Sequence, residues 1–388
     1  MSTQRWSFEL TPFRKLLIAL SIIGVVLLFY RLYAGLAVTN LNDQWPWGLW
    51  IGVDLSAIAL AGTGYSVAVL ANILNIKKYK TVARHSLLIS FLAYTYVLLV
   101  LIIEIGRWDN FWRPFVSWGY HSPLFEVFMC IAGYMLMQFL EFAEIVTEKI
   151  GQKWHKVVAF VMPVVVILAA LLPFGHQASL GAIYLIVPGK LDPLWFSELL
   201  PWFFLISSFF VGPAVIALET FRVDKKYNLN FDESIIKSLL KVSGYIMLGY
   251  LVLKVYDLAS RGVLGRAFSG TWEANMFLLE MLVGVVLPII ICFTPWLNRR
   301  QGQIVFCVGA IIGVILSRIN VVFTGMYRAL GPGYVPSLME WLLTICLLAL
   351  ILVIYLFVIE NFNIFTKWEK KGHSTKAAST PVSPSVAK

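Results

Sequence analysis

The sequence predicts an all-α integral membrane protein with about ten transmembrane helices. Three observations predict it. Of the 388 residues, 59% are hydrophobic and 13% charged, at a mean hydropathy of +0.80, whereas soluble domains carry about 25% charged residues. Apolar runs, each long enough to cross a hydrocarbon layer of roughly 30 Å, cover 16–38, 49–74, 85–106, 123–147, 156–178, 199–221, 236–257, 274–297, 303–325 and 338–360. Basic residues gather in alternate connections, as they do on the cytoplasmic side of polytopic proteins.

Residues 1–15 form a polar N-terminus with Arg5, Arg14 and Lys15. The run behind it is as long as a full span and no small-residue cleavage site follows, so it reads as a retained helix and not a signal peptide. The second run opens on Trp45-Pro46-Trp47-Gly48-Leu49-Trp50 and carries Asp54 one turn inside. Glu104 lies at the end of the third, ahead of Arg107 and Phe111-Trp112. The fourth begins as a helix should: Ser122 is placed to cap the first turn and Pro123 follows where a missing N–H costs nothing. His121 precedes that cap, Glu126 lies one turn inside, and Glu141 and Glu144 lie near the other end. His176, close behind Pro173 and Gly175, reads as a loop residue. Residues 182–196, ending in Trp195, read as an amphipathic piece between the fifth and sixth runs. Residues 16–360 thus form one transmembrane domain. Residues 361–388, rich in Lys, Ser, Thr, Pro and Ala, read as a disordered cytoplasmic tail.

Ten spans put both termini on one side, and loop charge chooses which. Of the 31 Lys and Arg residues, only Arg31, Arg107, Arg113, Lys190, Lys254, Arg261, Arg266, Arg318 and Arg328 belong to the opposite side. Both termini are therefore expected in the cytoplasm, with His121 and Glu126 at the periplasmic face. The same bias accounts for the net charge of +10, and the bilayer, not nucleic acid, is the expected partner. The four cysteines, at 130, 292, 307 and 346, all lie in apolar runs without C-x-x-C spacing. They read as small membrane-embedded hydrophobes, and no metal site is expected.

Trp118, His121-Ser122-Pro123, Phe125-Glu126 and Cys130 resemble the W-x-x-H-S-x-x-[FW]-E-x-x-x-C stretch of the NrfD/polysulfide reductase membrane subunit family. Trp45 to Trp50 with Asp54 is similar to its P-W-G-L-W…D segment, Ile105-Gly106-Arg107 with Phe111-Trp112 to its I-G-R…F-W loop, and Tyr334 to Glu340 to its Y-x-P-S-x-x-E. The order and spacing of these blocks over residues 45–340 carry the resemblance. The branch most resembled is the long one that includes the membrane subunit of periplasmic nickel–iron hydrogenases (HybB-type). It implies two four-helix bundles, here spans 2–5 and 6–9, with spans 1 and 10 peripheral. It also implies a bacterial inner-membrane subunit that reacts with menaquinone or another quinone and usually carries no haem. The implied partners are a periplasmic four-cluster ferredoxin-like iron–sulfur subunit and the catalytic subunits of a hydrogenase or other reductase.

The ionisable residues inside the runs fit that chemistry, because such groups are costly in lipid and mark proton or ligand sites by default. A quinone needs an aromatic slot, a hydrogen-bonding group at its carbonyls and a proton-exchanging acid or histidine. His121, Glu126 and Asp54 are the candidates for proton exchange, and Trp47, Trp50, Trp118 and Arg107 for the pocket. Glu104, Glu141, Glu144, Glu219 and Glu280 are candidates for a proton path, with Glu280 nearest mid-depth and Tyr65, Tyr134, Ser207, Ser208 and Tyr245 as hydroxyl links. Each has a plainer reading. Lys254 and Asp257 can simply pair; Arg31, Arg107, Arg318 and Glu340 can snorkel; His85, His155 and Glu360 sit at ends where water reaches; interfacial aromatics anchor spans. Haem is the rival cofactor, but the histidines lie at run ends with no facing pair at depth. Two other functions stay open. A proton or solute transporter would use the same carboxylates, with Pro163, Gly212-Pro213 and Pro288 as weak helix-break signals. A purely structural anchor would need none of them.

Overall fold

The computed structural model describes residues 6, 8–187, 189–365 and 369–370. The tail beyond residue 370 and most of the first seven residues, including Arg5, lie outside the described residues. Among the described residues, ten helical spans are long and apolar enough to cross a membrane: span 1 Pro12–Val38, span 2 Leu49–Ile73, span 3 Lys77–Glu104, span 4 Pro123–Ile150, span 5 Gln152–Ile186, span 6 Leu200–Tyr227, span 7 Glu233–Ser260, span 8 Trp272–Cys292, span 9 Arg300–Leu330 and span 10 Leu338–Asn361. The fold is an all-α integral membrane fold. Spans 2–5 form one antiparallel bundle and spans 6–9 a second, while spans 1 and 10 pack on each other along the outside. Both described ends lie on one face, because Arg14 pairs with Glu360 and Trp6 stacks on Phe357. That face is called the terminal face below, and the opposite one the His121 face.

Local chemistry sets the helix ends. Thr11, Asp232 and Thr271 accept backbone N–H groups at the starts of spans 1, 7 and 8. Span 10 starts with a capping box, Ser337 and Glu340 each accepting the other's backbone N–H. Ser122 occupies the N-cap position of span 4 with Pro123 behind it, but its hydroxyl makes no capping bond. Glycines let helices approach. A methyl on Gly284 of span 8 would overlap the backbone of Gly313 on span 9. A methyl on Gly212 of span 6 would meet Gly62 of span 2, where the two bundles touch.

Several expectations need correction. Span 5 runs through Pro163 and Pro173 without a break and ends at residue 186, so His176 is an interior helical residue. Proline is tolerated there because packed neighbours re-satisfy the freed carbonyls. Residues 182–196 are no amphipathic helix: after a short 3₁₀ turn at Ile183–Ile186 the chain becomes a buried loop carrying Leu191, Leu194 and Trp195 into the second bundle. Span 3 begins at residue 77, so His85 is two turns inside and fully buried. Pro213 also sits inside a continuous helix. Tyr245 faces outward and cannot serve as an internal link.

Candidate functional site

The periodicity of span 2 puts Ile51, Asp54 and Ile58 on one face, at steps of three and four, and Trp47, in the loop just before the helix begins, lines the same cavity. That face meets spans 3, 4 and 5 around a cavity of about 100 Å³. Its walls include Trp47, Asp54, Leu101, Leu124, His176 and Tyr184. Asp54 is buried and neither carboxyl oxygen has a partner among the described residues. His176 is fully buried, and neither ring nitrogen makes a well-formed hydrogen bond. Two unpaired titratable side chains in an otherwise apolar hole are costly to the fold, and such groups concentrate at working sites. Trp47 packs edge-on to Tyr184, with ring centroids 5.5 Å apart.

A second layer of charge stands beside this cavity. Both carboxyl oxygens of Glu104 are enclosed without a partner. Glu104 lies within electrostatic reach of Asp54, Arg31 and Glu340. Arg31 is wholly buried and donates to the Ile105 carbonyl at 3.1 Å, so it does not snorkel. Glu340 is equally buried and accepts from Tyr334, Asn40 and Ser337. Tyr334 also accepts from the Leu49 N–H at 2.7 Å, tying the start of span 2 to span 10.

The remaining candidates scatter. Trp50 is buried, but its indole donates to the Glu340 carbonyl, on the other side of span 2 from the cavity. His121, Glu126 and Trp118 are exposed on the His121 face. Leu124, three residues after His121, forms part of the cavity's outer wall. Arg107 is exposed and bound to Asp109, whose carboxyl its guanidinium holds below the usual range. The structure therefore joins Asp54 and Trp47 to each other and to His176, and leaves His121, Glu126, Trp118 and Arg107 at the surface outside that cavity.

From the cavity a column of polar side chains runs through the first bundle toward the terminal face. Tyr94 packs against His176, with ring centroids 5.8 Å apart, and edge-on to Tyr134 at 4.5 Å. Tyr134, Ser90 and Gln138 form a buried hydrogen-bonded trio: Gln138 donates to Ser90 at 2.6 Å and to Tyr134 at 2.7 Å. Tyr134 and Gln138 border a cavity of about 260 Å³ that extends to Lys80, Arg84, Glu141 and Glu144.

Glu280 is elsewhere. It lies buried in the second bundle and accepts from Trp195 Nε1 and Asn320 Nδ2, both at 2.9 Å, pinning the Trp195 loop to span 9. Ser197 and Arg261 hold Asp257, so the Lys254–Asp257 pair is not formed; Lys254 instead lies over the Phe203 ring at 4.4 Å. Arg318 is buried over Phe204 and donates to Ser207 at 2.7 Å. Glu219 accepts from Arg222 at 2.7 Å and from Tyr355, whose hydroxyl lies 2.9 Å from His85 Nε2. His85 and Glu360 are both partnered in the protein, not simply solvated. His176 and Tyr94 escaped sequence reasoning. The signal for Tyr94 was present: Ser90, Tyr94, Val97, Leu101 and Glu104 share one face of span 3.

A ten-span helical fold with an acid and a histidine buried unpaired near one face defines a polytopic membrane protein with a built polar site. The chain belongs to the NrfD family: the family described as "Polysulphide reductase, NrfD" matches residues 37–331. The menaquinone reductase integral membrane subunit of Nitratidesulfovibrio vulgaris is 31% identical over 80% of this chain and 82% of its own length. The probable Ni/Fe-hydrogenase 2 b-type cytochrome subunit of Escherichia coli (strain K12) is 29% identical over 93% of this chain and 94% of its own. The Hdr-like menaquinol oxidoreductase integral membrane subunit of Archaeoglobus fulgidus is 23% identical over 86% of this chain and 88% of its own.

Proposed function

We propose that this chain is the quinone-reactive membrane subunit of a respiratory redox complex. It passes electrons from an iron–sulfur subunit docked on the His121 face to menaquinone. The observation that carries the reading is the pairing of unpartnered Asp54 and His176 in one aromatic-walled hole. Quinone reduction takes up two electrons and two protons, so its carbonyl oxygens need hydrogen-bond donors that can part with a proton. The Asp54 carboxyl and the His176 ring are the two groups so placed, and Trp47 and Tyr184 supply flat apolar walls. His121 and Glu126, exposed near the Leu124 wall, stand at the mouth for proton exchange with the periplasm. The related chains named for menaquinone reductase and for a nickel–iron hydrogenase support both the substrate and the partner class. Loop charge supports an orientation with the terminal face in the cytoplasm.

A haem does not fit these residues. A bis-histidine haem needs two facing histidines at depth. The aromatic ring beside His176 is that of Tyr94, not a second histidine. An optical spectrum of the purified complex tests this directly; a reduced b-type band assigned to this chain would overturn it.

Asp54→Asn keeps the shape and removes the exchangeable acid. Quinone reduction by the assembled complex should fall by about 100-fold, the usual scale of one acid–base group. Activity of the catalytic subunits with an artificial acceptor should stay unchanged. Wild-type quinone turnover in that variant would refute the site. His121→Ala, at an exposed position, should leave assembly intact and lower quinone turnover, and equal turnover would remove it from the mouth.

A further inference from the structure

Between the two bundles lies a cleft of about 530 Å³ that the proposed quinone chemistry does not use. Spans 2, 3, 6, 9 and 10 wall it. Small residues carve it, since Gly52, Ala57 and Ala93 stand where a leucine or phenylalanine would close it. Its hydroxyls are spent on the helices themselves. Ser56 donates to the Gly52 carbonyl at 2.7 Å, Thr344 to Glu340 at 2.7 Å and Tyr96 to Thr344 at 3.1 Å. The wall is thus apolar in effect, and it offers no donors to a polar ring. On span 2 it extends from Leu49 to Leu60, about 16 Å at 1.5 Å per residue. That stretch is the half of span 2 nearest the His121 face, and along span 6 the cleft continues to Arg222 near the terminal face, so it crosses most of a roughly 30 Å hydrocarbon core.

One end is different. Glu219, Arg222 and Tyr355 line both the cleft and a polar chamber of about 780 Å³ on the terminal face. In that chamber Glu360 is matched by Arg14 and Tyr227, and Glu219 by Tyr355 and Arg222, while Glu9 also lines it. Arg222 and Lys226 line it as exposed cations. An apolar slot that runs through the membrane interior and opens into a roomy chamber where Arg222 and Lys226 are exposed matches an amphiphile with a long chain and an anionic headgroup. A dry apolar hole inside a bilayer forfeits contacts on every wall, and a chain restores them.

We infer that the cleft holds one acyl chain of a phospholipid from the terminal-face leaflet, with its phosphate bound by Arg222 and Lys226. A guanidinium offers two parallel N–H donors to phosphate, and Glu219, fixed by Tyr355 and His85, positions that guanidinium. A quinone ring is the poorer occupant, because Tyr355 already donates to Glu219 and lies against His85.

The test is native mass spectrometry of the intact complex after detergent delipidation, with organic extraction of what remains. Wild type should keep one phospholipid per chain. Ala57→Phe with Ala93→Phe fills the slot and should lower occupancy at least about ten-fold, equivalent to about 1.4 kcal/mol. Arg222→Gln with Lys226→Gln should lower it several-fold and remove its sensitivity to salt. Val26→Phe, on the exposed side of span 1, should leave it unchanged. If the filled variant fails to assemble, the Arg222/Lys226 pair decides alone. Retention of a quinone instead, loss of all lipid from wild type, or unchanged occupancy in the Arg222/Lys226 variant would overturn the inference.

Discussion

His176 is the residue on which sequence and structure part. In the sequence it follows Pro173 and Gly175, two signals that end a helix in water. In a membrane bundle those signals weaken, because neighbouring helices supply the missing partners, and span 5 carries His176 into the hole beside Asp54. Asp54 and Trp47 were legible because both lie in one short stretch of sequence, Trp47 just before the start of span 2 and Asp54 inside it. The distances from that helix to span 5, and the surface position of Trp118 and Arg107, depend on tertiary packing and could not be read from one chain. The chemistry assigned to His176 is separable from packing. His176→Phe keeps a ring of similar size and removes two ring nitrogens that make no well-formed hydrogen bond, so the melting temperature should hold or rise. Quinone turnover should fall at least about ten-fold if the imidazole exchanges a proton. Unchanged turnover would make the histidine a core residue only.

At the scale of the element, apolar run length sufficed to find the ten spans seen among the described residues, because a bilayer forces long apolar helices. What fixes one span against another was less visible. Glu340 reads in the sequence as a carboxylate that reaches the interface, yet it is fully buried and binds Tyr334, Asn40 and Ser337. The Ser337-x-x-Glu340 spacing does carry a capping-box signature. Glu340→Ala would leave two backbone N–H groups and a hydroxyl without their acceptor. The expected loss is about 3 kcal/mol, at about 1 kcal/mol or more for each unsatisfied group, read as a lower unfolding temperature in detergent. The Gly284–Gly313 crossing gives a second check. Gly313→Leu should separate spans 8 and 9 and destabilise by about 1–3 kcal/mol or prevent assembly, whereas Gly249→Leu, with open space around it, should be tolerated. Equal behaviour of the two would argue against the crossing.

For the whole molecule, the proposed proton path and the Glu280 contacts fall in different bundles. Read along the chain, Glu280 is the natural mid-depth carrier because it is the one carboxylate near the centre. The fold puts it in the second bundle, held by Trp195 and Asn320 away from the Asp54 hole. The column that does lead to the hole is in the first bundle, from the Glu141 and Glu144 cavity through Gln138, Tyr134, Ser90 and Tyr94 to His176. Protons drawn along it to meet electrons arriving from the periplasm would separate charge, whereas protons entering through the His121 mouth would not. Gln138→Leu should block the column while leaving Asp54 and His176 in place. In sealed vesicles of known orientation, a voltage-sensitive dye should then report loss of the membrane potential generated during quinone reduction. Glu280→Gln should keep that potential if the protein remains folded. A potential that survives Gln138→Leu and vanishes in Glu280→Gln would move the path to the second bundle. No potential in the wild type would show that the protons come from the His121 side and that Glu141 and Glu144 only line a solvated vestibule.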